Sequence, residues 1–168
     1  MSGTAHPKIG LRPFLPADAP LLREIFRDSI EELTSDEYSA AQQDAWASTA
    51  DDLETFGAKL SGHLTLVATL EGAPVGFASL EGKDKIDMLY VHPAAGGRGV
   101  GTALVDALER LAGSRGVAKL IVDASDSARS FFEKRGYVAQ QRNSISIGDE
   151  WLANTTLHKP LAVKREAS

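Results

Sequence analysis

Four glycines, at positions 96, 97, 99 and 101, are the residues of this 168-residue chain that most directly suggest a chemistry. They fall in "VHPAAGGRGVGTALV", between an apolar run and an apolar helical pattern, and so indicate a tight turn from a strand into a helix. Such a turn presents free backbone N–H groups at the positive end of the helix dipole, where phosphate groups bind. The stretch predicts an anion site; the alternative is a tight turn before a packed helix.

Two common phosphate-binding patterns are absent from this stretch. The spacing supplies no third glycine for the dinucleotide fingerprint, and no Gly-Lys-Ser/Thr follows as in a P-loop. The ligand is therefore expected to be held mainly by backbone groups.

Other residue types narrow the remaining chemistry. Cysteine is absent, which excludes disulfides, thiolate zinc sites and a cysteine nucleophile. The histidines at 6, 63, 92 and 158 are scattered without metal-ligand spacing, and no Gly-x-Ser-x-Gly elbow occurs. We expect no metal site and no covalent intermediate on the protein.

The charge of the chain is unevenly distributed. The net charge is −5, but eleven carboxylates and two basic residues lie between Asp18 and Glu54, so the remainder has twelve carboxylates against sixteen Lys and Arg. No basic stripe is available for a nucleic-acid backbone, and no apolar run approaches the roughly 20 residues that cross a bilayer. We therefore expect no nucleic-acid partner, no membrane and a cytoplasmic location.

The elements around the glycines are predicted from periodicity and turn residues. Helical spacing of apolar residues and short turns between β-branched runs indicate seven strands and five helices, all within one domain of residues 1–168. The strands are expected near 8–15, 63–70, 74–82, 85–91, 118–124, 137–147 and 150–159. The first helix is expected after residue 18, the second around 38–46 and the third around 50–60. The fourth should run from 100 to Gly113 or Gly116, and the fifth should occupy 125–136 with Ser125 or Asp126 as its N-cap. The last six residues are expected to be a frayed tail.

Three segments in one order carry a family resemblance. "LYVHPAAGGRGVGTALV", then "LIVDAS" and then "SARSFFEKRGY" resemble the GCN5-related N-acetyltransferase (GNAT) family. More narrowly, "YSAAQQDAW", "IDMLYV" and "EWLANTTLHKPL" resemble the YafP-like branch of its bacterial members. The resemblance implies a mixed α/β (α+β) fold, with a mostly antiparallel sheet splayed at its centre and helices on both faces.

The resemblance also implies which residues bind the cofactor, acetyl-CoA (coenzyme A). Backbone groups of the strand before the loop would pair with the pantetheine arm as an extra strand, and the glycine loop would surround the pyrophosphate. The implied cofactor-binding residues are Leu89, Tyr90, Val91, Gly96, Gly97, Arg98, Gly99, Val100, Gly101, Thr102, Ser125, Phe132, Lys134 and Arg135. For Lys134 and Arg135 a role as partners of the helix C-terminus stays equally open.

The chain departs from the family pattern at three of these positions. Gly96 stands where the loop usually opens with Arg or Gln, and Ser125 stands where Asn is frequent. Phe132 replaces the tyrosine that protonates the departing thiolate in many relatives, so the proton would come from elsewhere.

Catalytic and acceptor-binding residues are also implied by the resemblance. Asp87 occupies a position where some relatives keep a base, and even spacing places it on one strand face with Leu89 and Val91; an ion pair with Lys85 or another cation is the alternative. Tyr38 is the candidate acid. Trp46, Trp151 and Asn154 are the candidates for substrate binding, with core packing as the alternative for the aromatic residues.

The resemblance therefore implies an acetyl-CoA-dependent N-acetyltransferase. The acceptor would be a primary amine of a small molecule or peptide that attacks directly in a ternary complex, and a homodimer stays open. The alternative is a non-catalytic sensor or interaction module that binds acyl-CoA.

Overall fold

A computed structural model describes residues 8–162 and shows one seven-stranded sheet with helices on both faces. The initial residues, with His6, and the tail predicted at 163–168 lie outside the described range. The strands are β1 (Ile9–Pro13), β2 (Leu64–Leu70), β3 (Ala73–Glu81), β4 (Lys85–Val91), β5 (Lys119–Ser125), β6 (Val138–Ile147) and β7 (Glu150–Pro160). The helices are α1 (Ala19–Leu33), α2 (Ala40–Ala47), α3 (Leu53–Gly62), α4 (Val100–Ser114) and α5 (Arg129–Lys134).

The strand order β1-β2-β3-β4-β5-β7-β6 is antiparallel everywhere except between β4 and β5. The parallel pair is joined through α4, which is the crossover that a parallel connection requires. The predicted fold class is confirmed: the sheet is mixed and mostly antiparallel, and it is covered on both faces.

Each sheet face has its own hydrophobic core. On one face, α4 and α5 bury residues such as Leu104, Leu108 and Phe132. On the other face, α1 and α3 bury Phe26 and Leu60 among others. The helical period of the apolar residues therefore positions β4 and β5 between two packed layers.

The sheet splays where β4 and β5 diverge. Only Lys85 and Ile86 of β4 pair with β5, opposite Ile121 and Val122. Beyond Ile86 the two strands separate, and among residues 8–162 no other strand covers the backbone edge of β4 that this separation leaves open.

Two local features differ from the prediction. The side chain of Ser125 does accept a bond from the Ala128 N–H at 3.1 Å, but α5 begins only at Arg129 with Ala128 as its N-cap. On β4 the register against β3 shifts by one residue, because Ser79 lies opposite Met88 and Leu80 lies opposite Ile86. Asp87 is the extra residue of this β-bulge, and a bulge breaks the alternation of faces.

Candidate functional site

A cavity of about 290 Å³ occupies the gap between β4 and β5. We call it the strand-gap cavity. It is lined by both strands, the start of α4, α5 and the end of α1: Ser29, Leu33, Trp46, Ile86, Asp87, Leu89, Tyr90, Val91, Gly101, Val122, Asp123, Ala124, Ser125, Ser127, Ala128, Phe131 and Phe132. Eight of the residues predicted from the sequence thus come together around one cavity.

The open backbone edge of β4 is formed by alternate residues. The His92 N–H donates to the Val75 carbonyl at 2.8 Å, so in this antiparallel ladder Tyr90 also directs its backbone groups at β3. The backbone groups of Leu89 and Val91 face the strand gap instead. Backbone pairing with a ligand is therefore available at Leu89 and Val91, whereas the same expectation for Tyr90 was wrong.

The glycine loop leads from this edge to the start of α4. Gly97 (φ 77°) and Gly99 (φ 80°) adopt the left-handed conformation that L side chains rarely occupy, and a Cβ on either would have no atom within 4 Å. Gly99 is the N-cap of α4, so the N–H groups of the first helical turn have no partner within the helix. Arg98 and Thr102 are exposed beside them, and within residues 8–162 Arg98 makes no ion pair.

Gly101 lies in the first turn of α4 and lines the cavity directly. A Cβ at this position would lie 3.5 Å from the Phe131 ring and 3.9 Å from Val91 Cγ2. Phe131 was not predicted as a site residue, because in "SARSFFEKRGY" only its neighbour matches the family's tyrosine position.

Phe132 closes the α5 side of the strand gap. Its ring is fully buried and packs edge-on against Phe131 and Tyr137 at centroid distances of 5.2 Å. It lines the cavity without offering a proton.

The two predicted cations of α5 have different environments. The Arg135 guanidinium pairs with Asp106 of α4 and lies over the Phe131 ring at 5.8 Å. Lys134 is exposed and, within the described part of the chain, has no ion-pair partner. Lys134 is thus the one of the two whose charge is available to a ligand.

Asp87 faces the helices α1 and α3 rather than the side of Leu89 and Val91, because the bulge changes its orientation. Lys59 Nζ lies 3.2 Å from Asp87 Oδ2, and His63 Nδ1 lies 3.6 Å from the same oxygen. Neither contact has hydrogen-bond geometry, so within residues 8–162 both Asp87 Oδ2 and His63 Nδ1 are buried without a hydrogen-bond partner. The alternative given for Asp87, an ion pair with Lys85 or another cation, is present with Lys59, while Lys85 pairs with Asp123.

Asp123 of β5 is a second carboxylate at the cavity and was missed by sequence reasoning. Its Oδ1 accepts a bond from the Thr156 hydroxyl at 2.5 Å, and its Oδ2 pairs with Lys85 Nζ at 3.1 Å. Burial alone would raise the pKa of Asp123, but these two partners outweigh burial and lower it. The side chain is therefore held ionised. The segment "LIVDAS", which contains Asp123, predicted a buried strand, and this pattern does not indicate that the carboxylate lines a cavity.

A smaller cavity of about 130 Å³ adjoins the strand gap; we call it the aromatic cavity. Its lining residues are Tyr38, Trp46, Tyr90, Asp123, Ser125, Ile145, Ile147, Leu152, Ala153 and Asn154. Trp46, Tyr90, Asp123 and Ser125 line both cavities, so the two spaces meet at these residues. The predicted residues Trp46 and Asn154 both line this cavity. Trp151 lines neither cavity, and it is 63% exposed.

Tyr38 connects three elements through its hydroxyl group. The hydroxyl donates to the Ala153 carbonyl at 2.6 Å and accepts from the Asp126 N–H at 2.9 Å. Burial raises its pKa. Because the single hydroxyl proton is engaged by Ala153, this geometry favours a positioning role over the proton donor expected from the sequence.

Two further observations concern the described residues alone. Within residues 8–162, no three His, Asp or Glu side chains are grouped as metal ligands. No helix in this range is long and apolar enough to cross a membrane.

Comparison with known proteins identifies relatives of the chain. The model of the acetyltransferase (GNAT) domain matches residues 34–152. The N-acetyltransferase YafP of Escherichia coli K12 is 33% identical over 146 residues, which cover 87% of this chain and 92% of YafP.

Solved structures resemble the fold over most of its length. A GCN5-related N-acetyltransferase from Rhodopseudomonas palustris has a TM-score of 0.90 and 62% identity, covering 96% of this chain and 99% of that one. The PaiA N-acetyltransferase from Thermoplasma acidophilum, solved with coenzyme A, has a TM-score of 0.75 at 18% identity, covers 91% of this chain and 99% of that one, and is similar in fold alone.

Proposed function

The chain belongs to the GCN5-related N-acetyltransferase (GNAT) family and is an acetyl-CoA-dependent N-acetyltransferase; on this basis we propose that it acetylates the primary amine of a small molecule by direct attack in a ternary complex. The same proposal assigns residues 1–168 to one GNAT domain. The observation that carries it is the unpaired backbone edge at Leu89 and Val91, which leads directly to the glycine loop.

The strand gap suits the extended, amide-containing arm of acetyl-CoA. Leu89 and Val91 can pair with the arm as a neighbouring strand would, because their N–H and C=O groups face the gap. At the end of the arm, the first N–H groups of α4 meet the pyrophosphate, and Arg98 adds a positive charge. Lys134 is the α5 cation available to a further phosphate.

The reaction needs one proton acceptor for the attacking amine. The amine nitrogen forms a bond to the acetyl carbon, the carbon–sulfur bond breaks, the nitrogen releases its second proton to solvent, and the departing thiolate takes one proton from solvent. Asp87 accepts the proton of the ammonium group before attack, since it is one of the residues that line the strand-gap cavity. His63 Nδ1, 3.6 Å from Asp87 Oδ2, is the next acceptor.

Tyr38 acts in this proposal by holding the active site together. Its two hydrogen bonds fix the turn after β5 and the middle of β7, on either side of the aromatic cavity. Phe132 contributes packing against the bound donor.

The experiment that tests the function measures CoA release and acetyl-CoA binding on the same protein. Purified protein is mixed with acetyl-CoA and a panel of primary amines, free thiol is followed with a chromogenic reagent, and the acetyl-CoA Kd is measured by calorimetry. We expect binding, and thiol release only when an amine is present. Binding without release on any amine would contradict the transferase and favour the acyl-CoA sensor.

A further inference from the structure

We infer that the acceptor of this enzyme is a small amine with one positive charge and an apolar alkyl group, held with its ammonium on Asp123 and its alkyl group in the aromatic cavity. The inference rests on the proposed amine acetylation and names the class of amine. The observations behind it are the lining, the charge and the size of the aromatic cavity.

The lining of the aromatic cavity fits a cation with an apolar body. The rings of Tyr38 and Trp46 meet edge-on at a centroid distance of 5.5 Å, and those of Trp46 and Tyr90 at 6.3 Å. The Trp46 N–H donates to the Tyr90 hydroxyl at 3.3 Å, so the indole is fixed in place. Aromatic rings arranged in this way attract an ammonium group near their faces and pack against alkyl carbon.

The charge of the cavity fits a single ammonium group. Asp123 is the one charged side chain among the described residues that line it. Two of the roughly four acceptor positions of this carboxylate are used by Thr156 and Lys85, and the others remain for a ligand. Asn143 donates to Thr156 Oγ1 at 2.8 Å, and this bond holds the Thr156 hydroxyl toward Asp123.

The same charges disfavour other common acceptors. A carboxylate on the acceptor would meet Asp123. Lys85 is already paired with Asp123 and no cation is among the described residues that line the cavity, so an amino acid is a poor ligand. A second ammonium would enter the part formed by Ile145, Ile147 and Leu152, where none of the described lining residues carries a charge to pair with it, and an ammonium that loses water without gaining a partner is costly.

The size and position of the cavity complete the description of the acceptor. A volume of 130 Å³ has room for about four water-sized groups, which matches a butyl or isobutyl chain. Because Asp123 and Trp46 line both cavities, an ammonium at this junction is directly beside the space assigned to the donor.

Matched pairs of amines test the inference. L-Valine is isobutylamine with a carboxylate added, and putrescine is butylamine with a second ammonium added. We expect kcat/KM for isobutylamine to exceed that for L-valine at least tenfold, and kcat/KM for butylamine to exceed that for putrescine at least tenfold. Equal or reversed preferences would overturn the inference and leave the proposed function standing.

Two variants test which residues determine the selectivity between amines. Asp123→Asn keeps the side-chain volume, and we expect it to raise the KM for isobutylamine at least tenfold while the acetyl-CoA Kd stays within twofold. Ile145→Glu adds a carboxylate at a partly exposed wall, and we expect it to raise the ratio of kcat/KM for putrescine over butylamine at least tenfold. Unchanged values in either folded variant would place the acceptor elsewhere.

A binding measurement separates this inference from the transferase proposal. The chain has two tryptophans, so in Trp151→Phe all tryptophan emission comes from Trp46. With CoA bound, isobutylamine is expected to change this emission in a saturable way, and L-valine and putrescine are expected to have no effect at the same concentration. Binding of isobutylamine without turnover would contradict the proposed function alone, and no emission change with isobutylamine would overturn the acceptor assignment.

Discussion

A substitution at Gly101 can distinguish the two interpretations of the glycine loop, which are a ligand-binding site and a tight turn before a packed helix. Gly99 is unsuitable for this purpose, because at φ 80° any side chain strains the backbone whether or not a ligand binds. Gly101 is helical, and its absent Cβ points toward the strand gap at ordinary contact distance from Phe131.

We predict that Gly101→Ala stabilises the fold and weakens donor binding. Replacing a helical glycine by alanine gains about 0.5 to 1 kcal/mol of stability. The added methyl group narrows the strand gap, so the acetyl-CoA Kd should rise about tenfold, equivalent to about 1.4 kcal/mol. The matched control is Gly57→Ala in α3, where the new Cβ would lie 3.4 Å from that of Ala19. Calorimetry should show an unchanged Kd for the control; equal Kd values in both variants would support a purely structural turn.

Asp87 carries the proposed proton transfer. A positioned general base contributes about 10² to 10⁴-fold, so Asp87→Asn should lower kcat at least about 10²-fold with little change in the acetyl-CoA Kd. Asp84→Asn, which alters an exposed carboxylate in the preceding turn, is the control and should keep full activity. A wild-type kcat in Asp87→Asn would instead make Asp87 a structural ion-pair partner of Lys59.

At the scale of elements, α2 and the β6–β7 hairpin form one wall of the site. Ser39 caps α2 and shares a capping box with Gln42, whose side chain also donates to the Trp151 carbonyl at 2.8 Å. Together with the Tyr38 hydroxyl, this bond fixes α2 against β7. The aromatic cavity therefore depends on how these two elements dock.

If Tyr38 positions neighbouring elements, its substitution should lower the free energy of unfolding without removing a catalytic acid. Tyr38→Phe leaves the Ala153 carbonyl and the Asp126 N–H without their partner, which should cost about 1 to 3 kcal/mol of the free energy of unfolding. Denaturant unfolding measures this cost. The alkaline limb of the kcat/KM profile should be the same in wild type and Tyr38→Phe. Loss of this limb in Tyr38→Phe would show that Tyr38 is the catalytic acid.

The entry into α1 gives a prediction about pH. Arg12 donates two bonds to Asp18 at 2.7 and 2.8 Å, and together with the Leu15 N–H they lower the pKa of Asp18 against a smaller opposing effect of burial. A lowered folded-state pKa stabilises the fold above the unfolded value of 3.8, and this contribution is lost as the pH falls through the folded value.

Asp18→Asn should therefore melt below wild type at pH 6, by no more than about 2 to 4 °C, because a partly exposed ion pair contributes under about 1 kcal/mol. The difference should shrink below pH 3.8. Melting curves from pH 2 to 7 test this, and a difference independent of pH would exclude the carboxylate charge as its cause.

The sequence predicted all seven strands and five helices, most of them from a strong local period or turn signal. The signals of α2 and α3 were weak, because both helices are short. The sequence did not predict the bulge at Asp87, since one extra residue in β4 is set by pairing with β3 and leaves no local pattern. For the same reason the predicted orientation of Asp87, on one strand face with Leu89 and Val91, was wrong. The backbone groups of Tyr90 face β3 because alternate residues of a strand direct their backbone groups to opposite edges, which does not depend on the bulge. Asp123 and Phe131 became visible only where β5 and α5 meet the strand gap, through contacts between residues that are distant in sequence.

In the complete fold, the splayed sheet lies between two helical layers that contribute different parts of the site. The layer of α4 and α5 supplies the backbone N–H groups and the walls assigned to the donor. The layer of α1 and α3, together with α2, supplies Trp46, Lys59 and His63 on the side where the proton transfer is proposed. The parallel pairing of β4 with β5 is only two residues long, and the opening that follows is what allows both layers to reach one cavity.

Residue-resolved hydrogen exchange of β4 tests the central claim that this opening takes acetyl-CoA as an additional strand. In the free protein the amides of Leu89 and Val91 face the strand gap and should exchange quickly, whereas that of Tyr90, bonded to β3, should be protected. Saturation with CoA should slow exchange at Leu89 or Val91 at least tenfold, slow it at Val100 and Gly101, and leave Tyr90 unchanged. Unaltered exchange at Leu89 and Val91 in protein shown by calorimetry to be saturated would contradict the claim.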